Sequence, residues 1–178
     1  MIRQLQQSIM RTSMDEYELV AGLETTREKP CFIGQSARFR QTFYGVASNE
    51  FWVTMTLTDI VRGAEADAIT APLIAQLTNK ENVLAPNLEF IVCVFDIAVT
   101  TDDVSQMTFF SMYDFQTVSE NGRAISNPIL LATDEGFLDL GPGSGSGTLT
   151  AVLPVEKNKN CTILYHKDVW FSLLEPRK

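Results

Sequence analysis

Two long runs with the period of a β-strand constrain the fold of this chain most strongly. In residues 50–61, apolar side chains at odd positions alternate with Trp52 and a series of threonines at even positions. Residues 89–99 are apolar at nearly every position. Because side chains alternate across a strand, the first run predicts a strand with one face against a core. The second run predicts a central strand that is covered on both faces.

Shorter runs between turn residues predict further strands. Asn121-Gly122, within residues 119–123, indicates a hairpin turn. Residues 141–147 are rich in glycine and predict a flexible loop, and residues 64–69 predict a short helix that Pro72 limits or restarts. Seven or more short strands separated by turns indicate an all-β, antiparallel, two-sheet sandwich. The additional strand candidates are residues 37–41, 107–110, 115–118, 129–131, 137–140, 148–153, 161–165 and 169–173.

Residues 1–29 differ in composition from the rest of the chain. They are rich in Gln, Met, Glu and Arg, and Leu5 and Ile9 have helical spacing on a narrow stripe. We therefore predict a mobile or weakly helical N-terminal arm ahead of a domain at residues 30–178. The first residues contain no continuous apolar segment of the kind found in secretory signals. Either the protein stays inside the cell, or a signal has been removed from the sequence shown.

Charge and cysteine content exclude several classes of function. The net charge of −8 argues against nucleic acid and anionic lipid as partners. No apolar run approaches the roughly 18 residues of a membrane span. Cys31, Cys93 and Cys161 are widely spaced without a CxxC pair, which excludes zinc-type spacing. We expect them to be small core residues, with a Cys93–Cys161 disulfide as the less favoured alternative.

Residue types that carry out catalysis or bind metal are scarce. His166 is the single histidine, and its placement before the last strand favours a surface turn over the general base of a hydrolase. The glycines of residues 141–147 lead into a strand without the lysine that a phosphate cradle needs. Asp102-Asp103 and Asp134-Glu135 lack EF-hand spacing and indicate solvated turns rather than a calcium site. We therefore predict no enzyme activity, no cofactor and no metal.

Several short motifs follow one another in a set order along the chain. They are Arg62-Gly63 after a strand, residues 86–92 entering the central strand, Tyr113–Phe115 with Val118–Gly122, and Trp170–Leu173 closing the domain. This order resembles a bacterial family of unknown function related to the immunoprotective extracellular proteins. That family is an immunoglobulin-like group of secreted proteins and lipoproteins, and the resemblance covers roughly residues 34–174. It implies an immunoglobulin-like sandwich displayed outside the membrane, with no established chemistry. The N-terminus departs from the family, since it lacks an export signal or a lipidated cysteine.

Five residues are predicted to have structural roles. We expect Arg62 to pair with a carboxylate and tie the helix to the sheet, with an anionic ligand as the alternative. Strand aromatics, including Phe109 and Phe110, are expected in the core, and for Trp52 a sugar- or peptide-binding patch is the alternative. The five predicted structural residues are Arg62, Gly63, Asp114, Gly122 and Trp170.

Two functional hypotheses follow from this pattern. The first is a non-catalytic extracellular or cell-envelope module that acts by display and binds another protein or a surface ligand. Its recognition surfaces are expected in the loops at residues 62–88, 101–106 and 141–147. The second is an intracellular interaction protein that assembles through residues 1–29. The sequence predicts no oligomeric state for either.

Overall fold

A computed structural model describes residues 25–44, 48–77, 84–105, 107–126, 131–166 and 168–174. Most of the predicted arm and the strand candidate at 129–131, apart from Leu131, lie outside these residues. The described part contains the helix α1 (Ala64–Ala75) and short 3₁₀ turns at Met112–Asp114 and Asp134–Gly136. Its strands are β1 (Ser36–Tyr44), β2 (Ser48–Val61), β3 (Leu88–Thr100), β4 (Met107–Ser111), β5 (Phe115–Val118), β6 (Phe137–Pro142), β7 (Gly145–Glu156), β8 (Thr162–Tyr165) and β9 (Val169–Ser172).

The largest sheet is antiparallel and has the strand order β1-β2-β3-β7. The predicted central strand, β3, lies between β2 and β7. In β2 the odd positions from Phe51 to Leu57 are at most 1% exposed, which confirms the predicted apolar face. A register shift between Leu57 and Asp59 then interrupts the alternation.

A second layer packs against the apolar face of this sheet. It contains the three-stranded sheet β5-β8-β9 and the pair β4-β6, both antiparallel. Phe95 of β3 stacks on Phe115 of β5 with ring centroids 4.4 Å apart, and it meets Phe171 of β9 edge-on at 5.4 Å. The core therefore lies between facing sheets, and the predicted all-β, antiparallel, sandwich-like arrangement is confirmed.

The helix α1 contacts β3 of the large sheet. It begins after Gly63, whose φ of 61° is a conformation that glycine adopts without strain. Ala66 is fully buried, and partly buried Leu73 packs against the core. The helix is longer than predicted, because Pro72 removes one backbone donor without ending it before Ala75.

The predicted flexible loop at residues 141–147 is wrong in extent. Gly141 and Pro142 complete β6, and β7 already begins at Gly145. A side chain at Gly147 would come within 2.6 Å of the Leu138 side chain. The glycines therefore allow β6 to lie close against β7, and only two residues separate the strands.

All three cysteines are buried and free in the structure. This confirms the expected core positions, and the alternative Cys93–Cys161 disulfide is not formed. Cys31 forms a parallel bridge with Phe171 of β9, which joins the first described segment to the last strand.

Candidate functional site

Exposed aromatic side chains form one continuous surface on β4, β6 and the turn after β4. Phe137 stacks on Phe109 with centroids 5.9 Å apart and meets Tyr113 edge-on at 5.6 Å. Met107 lies two residues before Phe109, on the same face of β4. These four residues are 42–55% exposed. We call Met107, Phe109, Tyr113 and Phe137 the aromatic patch.

Strand alternation explains why these side chains face outward. In β4, Thr108 and Phe110 are fully buried, so Phe109 between them must point away from the core. Phe137 of β6 pairs with Ser111 at the end of β4. Val104 is 81% exposed, and its backbone lies against Gly143 in the β6–β7 turn.

The electrostatic surroundings of the aromatic patch are acidic. Asp139 pairs with Phe109 across β4 and β6, and Asp114 follows Tyr113 directly. The hydroxyl and the backbone N–H of Ser105 donate to Asp103 and hold the pKa of its carboxyl below the usual range. Two carboxylates, those of Asp139 and Asp114, therefore flank the aromatic patch.

A cavity of about 440 Å³ adjoins the patch at Tyr113. Its lining includes Asp114 and His166, and the backbone N–H of His166 donates to the Asp114 carbonyl at 3.0 Å. His166, the general base in the hydrolase alternative, therefore lines a cavity. The cavity contains one carboxylate, that of Asp114, rather than a pair. The confirmed position of His166 is an exposed turn with φ of 51°.

The His166 imidazole is held by a glutamine rather than by a nucleophile in the described part of the chain. Tyr165 donates its hydroxyl to Gln41 Oε1 at 3.0 Å, and Gln41 Nε2 lies 3.3 Å from His166 Nε2. Since the amide oxygen accepts from the tyrosine, the amide N–H donates to the imidazole, and Nε2 acts as acceptor. This arrangement fixes the orientation of the ring.

Trp52 lies half-buried on the outer face of the large sheet. The guanidinium carbons of Arg38 and Arg40 are 5.0 and 4.8 Å from its ring centroid, within cation–π range. A shallow cavity of about 170 Å³ beside the ring is lined by Arg40, Thr100 and Asp102, among others. Arginine contacts account for the Trp52 position, and the sugar- or peptide-binding alternative stays a prediction.

Three of the five predicted structural residues have defined contacts. Asp114 accepts from the Ser111 N–H at 3.3 Å and completes a capping box at the turn after β4. Gly122 has φ of 83°, as the hairpin turn requires. Its Cα packs under the Arg27 guanidinium, so that an added Cβ would lie 2.7 Å from Nη1.

Trp170 holds the first described residues of the chain through its backbone. Its N–H donates to Thr25 Oγ1 at 2.8 Å, and its carbonyl accepts from the Cys31 N–H at 2.9 Å. Gly63 lies at the helix start, as described above. Arg62 is exposed at the end of β2, and its pairing with a carboxylate stays a prediction.

The acidic pairs lie in turns, as predicted from the sequence. Glu135 accepts from the Thr150 hydroxyl at 3.0 Å, and Asp103 accepts from Ser105. Among the described residues, no group of three or more His, Cys, Asp or Glu side chains could hold a metal ion. Within the same residues, no helix is long and apolar enough to cross a membrane.

Comparisons with known proteins give one structural similarity. No protein-family model matches the sequence, and no curated protein matches it. The crystal structure of the yjhA protein from Bacillus subtilis is similar with a TM-score of 0.47 and 12% sequence identity. The match covers 81% of this chain and 99% of that chain. A similarity this low carries no argument about function.

The aromatic patch was missed at the level of sequence, where Phe109 was expected in the core. That expectation is wrong, since Phe109 is 44% exposed. A signal was present, because adjacent phenylalanines in a strand must point to opposite faces. Phe109 and Phe110 cannot both reach the same core.

Proposed function

We propose that this chain is a non-catalytic immunoglobulin-like binding module that works outside the cell or at the cell envelope. In this proposal the module recognises another protein through the aromatic patch. The observation that carries the proposal is the clustering of Met107, Phe109, Tyr113 and Phe137 as exposed neighbours. Soluble proteins rarely expose contiguous aromatic surface without an interaction that covers it.

The chemistry of the aromatic patch suits protein recognition. Aromatic and methionine side chains are enriched in the centres of protein interfaces, where a few of them supply most of the affinity. The ring contacts of Phe137 with Phe109 and Tyr113 hold the surface in one arrangement before a partner arrives. Little side-chain entropy is then lost on binding.

The immunoglobulin-like topology and the location are supported by the motif order described above. The facing antiparallel sheets are compatible with an immunoglobulin-like topology. Fractionation of the native host tests the location. We expect the protein in the envelope or the medium. Recovery wholly in the cytosol would contradict display and favour assembly through residues 1–29.

Matched surface variants test the recognition surface. Phe137→Ser removes the central ring of the patch, and Ile69→Ser changes a residue of similar exposure, 40%, on α1. The partner protein is first isolated from the host envelope and purified. It should then bind the purified wild-type chain with no other component present. We expect Phe137→Ser to weaken binding by about 2 kcal/mol or more and Ile69→Ser to leave it unchanged. Equal binding by both variants would rule out the patch.

A further inference from the structure

We infer that the cavity of about 440 Å³ between β5 and β7 is a binding site for a small organic cation, an amine or guanidinium group on an apolar body. This inference goes beyond the proposed function, because it concerns a second ligand and does not need a partner on the aromatic patch. The cavity and the patch adjoin at Tyr113.

The first step concerns the position of the cavity in the fold. Phe115, Gln116 and Thr117 of β5 form one wall, and residues 152–154 of β7 form another. In the described part of the chain, β5 and β7 are end strands of different sheets and share no ladder. The cavity therefore lies where the edges of the two layers meet, rather than between paired strands.

Hydrogen bonds hold these walls in place. The Thr117 hydroxyl donates to the Pro154 carbonyl, which ties β5 to β7. The Ile125 N–H donates to the Thr117 carbonyl at 2.8 Å, and the His166 N–H donates to the Asp114 carbonyl at 3.0 Å. The cavity therefore exists before a ligand arrives, and little ordering of the protein opposes binding.

The second step concerns the apolar part of the lining. Phe115 is 6% exposed, and its ring contacts those of Phe95 and Tyr165 with centroids 4.4 and 4.9 Å away. Val152 and Leu153 of β7 are also buried. A volume of about 440 Å³ lies in the range of small-molecule sites, in which walls of this kind hold the apolar part of a ligand.

The third step concerns charge. Asp114 supplies a carboxylate, and no lysine or arginine is among the described residues that line the cavity. Oδ2 of Asp114 accepts from the Ser111 N–H at 3.3 Å. An ionised carboxylate has about four lone-pair positions, so it can accept from a ligand as well. An ammonium or guanidinium group is the complement of this carboxylate.

The rings beside the carboxylate favour a cation too. Gln41 donates to His166 Nε2, so the imidazole is neutral and adds no positive charge. The face of the Tyr113 ring attracts a cation. Burial raises the pKa of Tyr165, next to His166, and the Asp114 charge raises it further. The negative field of Asp114 therefore reaches the His166 side of the cavity, where an anionic ligand would be repelled.

The experiment uses the full ¹⁵N-labelled chain and four probes. Phenethylamine, phenylethanol and phenylacetate share one aromatic body and carry a positive charge, no charge and a negative charge. A capped glycine-arginine-glycine peptide carries a cation on a polypeptide instead. Amide chemical shifts are followed by NMR as each probe is added, up to about 10 mM.

The expected result is saturable binding of phenethylamine, with a Kd of about 1 mM or lower and shifts of β5 and β7 amides. Phenylacetate should bind at least about tenfold more weakly than phenethylamine, because Asp114 repels it. Phenylethanol should fall between them. The peptide should bind more weakly than phenethylamine, because the apolar walls leave its backbone polar groups without partners.

Asp114→Asn tests the carboxylate, since the asparagine amide oxygen can still accept from the Ser111 N–H. It should weaken phenethylamine binding about tenfold and leave phenylethanol binding unchanged. Asp139→Asn is the matched control, because Asp139 is an exposed carboxylate of β6 and is not among the described lining residues. It should bind phenethylamine as the wild-type chain does.

Four results would overturn the inference. They are no saturable shift of β5 and β7 with phenethylamine, equal binding of phenylacetate, an unchanged phenethylamine affinity in Asp114→Asn, and tighter binding of the peptide. The last would assign the cavity to a basic side chain of a polypeptide. None of these decides the proposed function, which depends on the purified partner and the Phe137→Ser variant. That variant should keep the wild-type affinity for phenethylamine, since Phe137 is not among the described lining residues.

Discussion

Tyr165 links the two layers of the sandwich through a single side chain. Its ring contacts Phe115 at 4.9 Å on its own sheet and Phe39 of β1 at 5.6 Å across the core. Its hydroxyl donates to Gln41 of β1. Burial raises the pKa of the Tyr165 phenol, and the charge of Asp114 raises it further.

This raised pKa gives stability a defined dependence on alkaline pH. In the unfolded chain Tyr165 ionises near pH 10, whereas the folded chain keeps it neutral at that pH. The stabilising contribution is therefore complete below about pH 10 and is lost as the pH rises further. We expect Tyr165→Phe to unfold with a shallower decline in stability between about pH 9.5 and 11, as measured by urea titration at each pH.

The Tyr113→Phe variant is the matched control, because Tyr113 is exposed at the surface. It should keep the wild-type decline. At pH 7 Tyr165→Phe should cost about 1 kcal/mol through the lost hydrogen bond to Gln41. A wild-type slope in Tyr165→Phe would contradict a contribution of Tyr165 to the alkaline decline.

At the scale of single elements, β4 combines an exposed apolar face with an unusual buried face. Thr108 points into the core and is 0% exposed, and its hydroxyl has no hydrogen-bond partner among the residues that the structure describes. A buried hydroxyl without a partner loses the bonds that it makes to water in the unfolded chain. β4 is therefore held by packing and its ladder to β6 despite this cost.

We expect Thr108→Val to stabilise the fold by about 1 kcal/mol. Valine has the same shape and removes the unpaired hydroxyl. Thr117→Val is the matched control, because buried Thr117 donates its hydroxyl to the Pro154 carbonyl. That variant should lose about 1 kcal/mol in the same urea titrations. A loss of stability in Thr108→Val would mean that its hydroxyl is satisfied.

The strands differ in how far the sequence predicts them. β2 and β3 follow from periodicity, because each is long enough for burial on one or both faces to leave a pattern. The short turn at Gly143-Ser144 does not follow from the sequence. Glycines in residues 141–147 favour a loop locally, but close packing of β6 on β7 also requires glycine within the strands. Contacts between β6 and β7 decide whether these residues form a loop or strands.

The candidate site was less predictable than the fold. The pattern predicts that Phe109 and Phe110 face opposite ways, but it does not say which face a second layer covers. The pattern also does not predict that Phe137 and Tyr113 lie beside Phe109, because that proximity results from the pairing of β4 with β6. The site arises from pairing over long sequence separation, which periodicity does not encode.

At the scale of the whole molecule, the three cysteines lie in separate parts of one core. Cys31 bridges to β9, Cys93 lies in the middle of β3, and Cys161 directly precedes β8. Burial raises the pKa of each thiol. The reactive thiolate is therefore suppressed, and access requires opening of the structure around it.

If the sandwich opens as one cooperative unit, all three thiols should react with a thiol reagent at a single slow rate. The expected retardation relative to the unfolded chain is about a thousandfold or more, in line with an ordinary free energy of unfolding. In the unfolded protein, the thiol reagent should detect three free thiols without added reductant. Mass spectrometry of the labelled cysteines separates the sites. Faster labelling of Cys31 alone would show that the segment around Cys31, which Trp170 holds to β9, opens independently of the rest. In that case β3 and β8 would remain closed around Cys93 and Cys161.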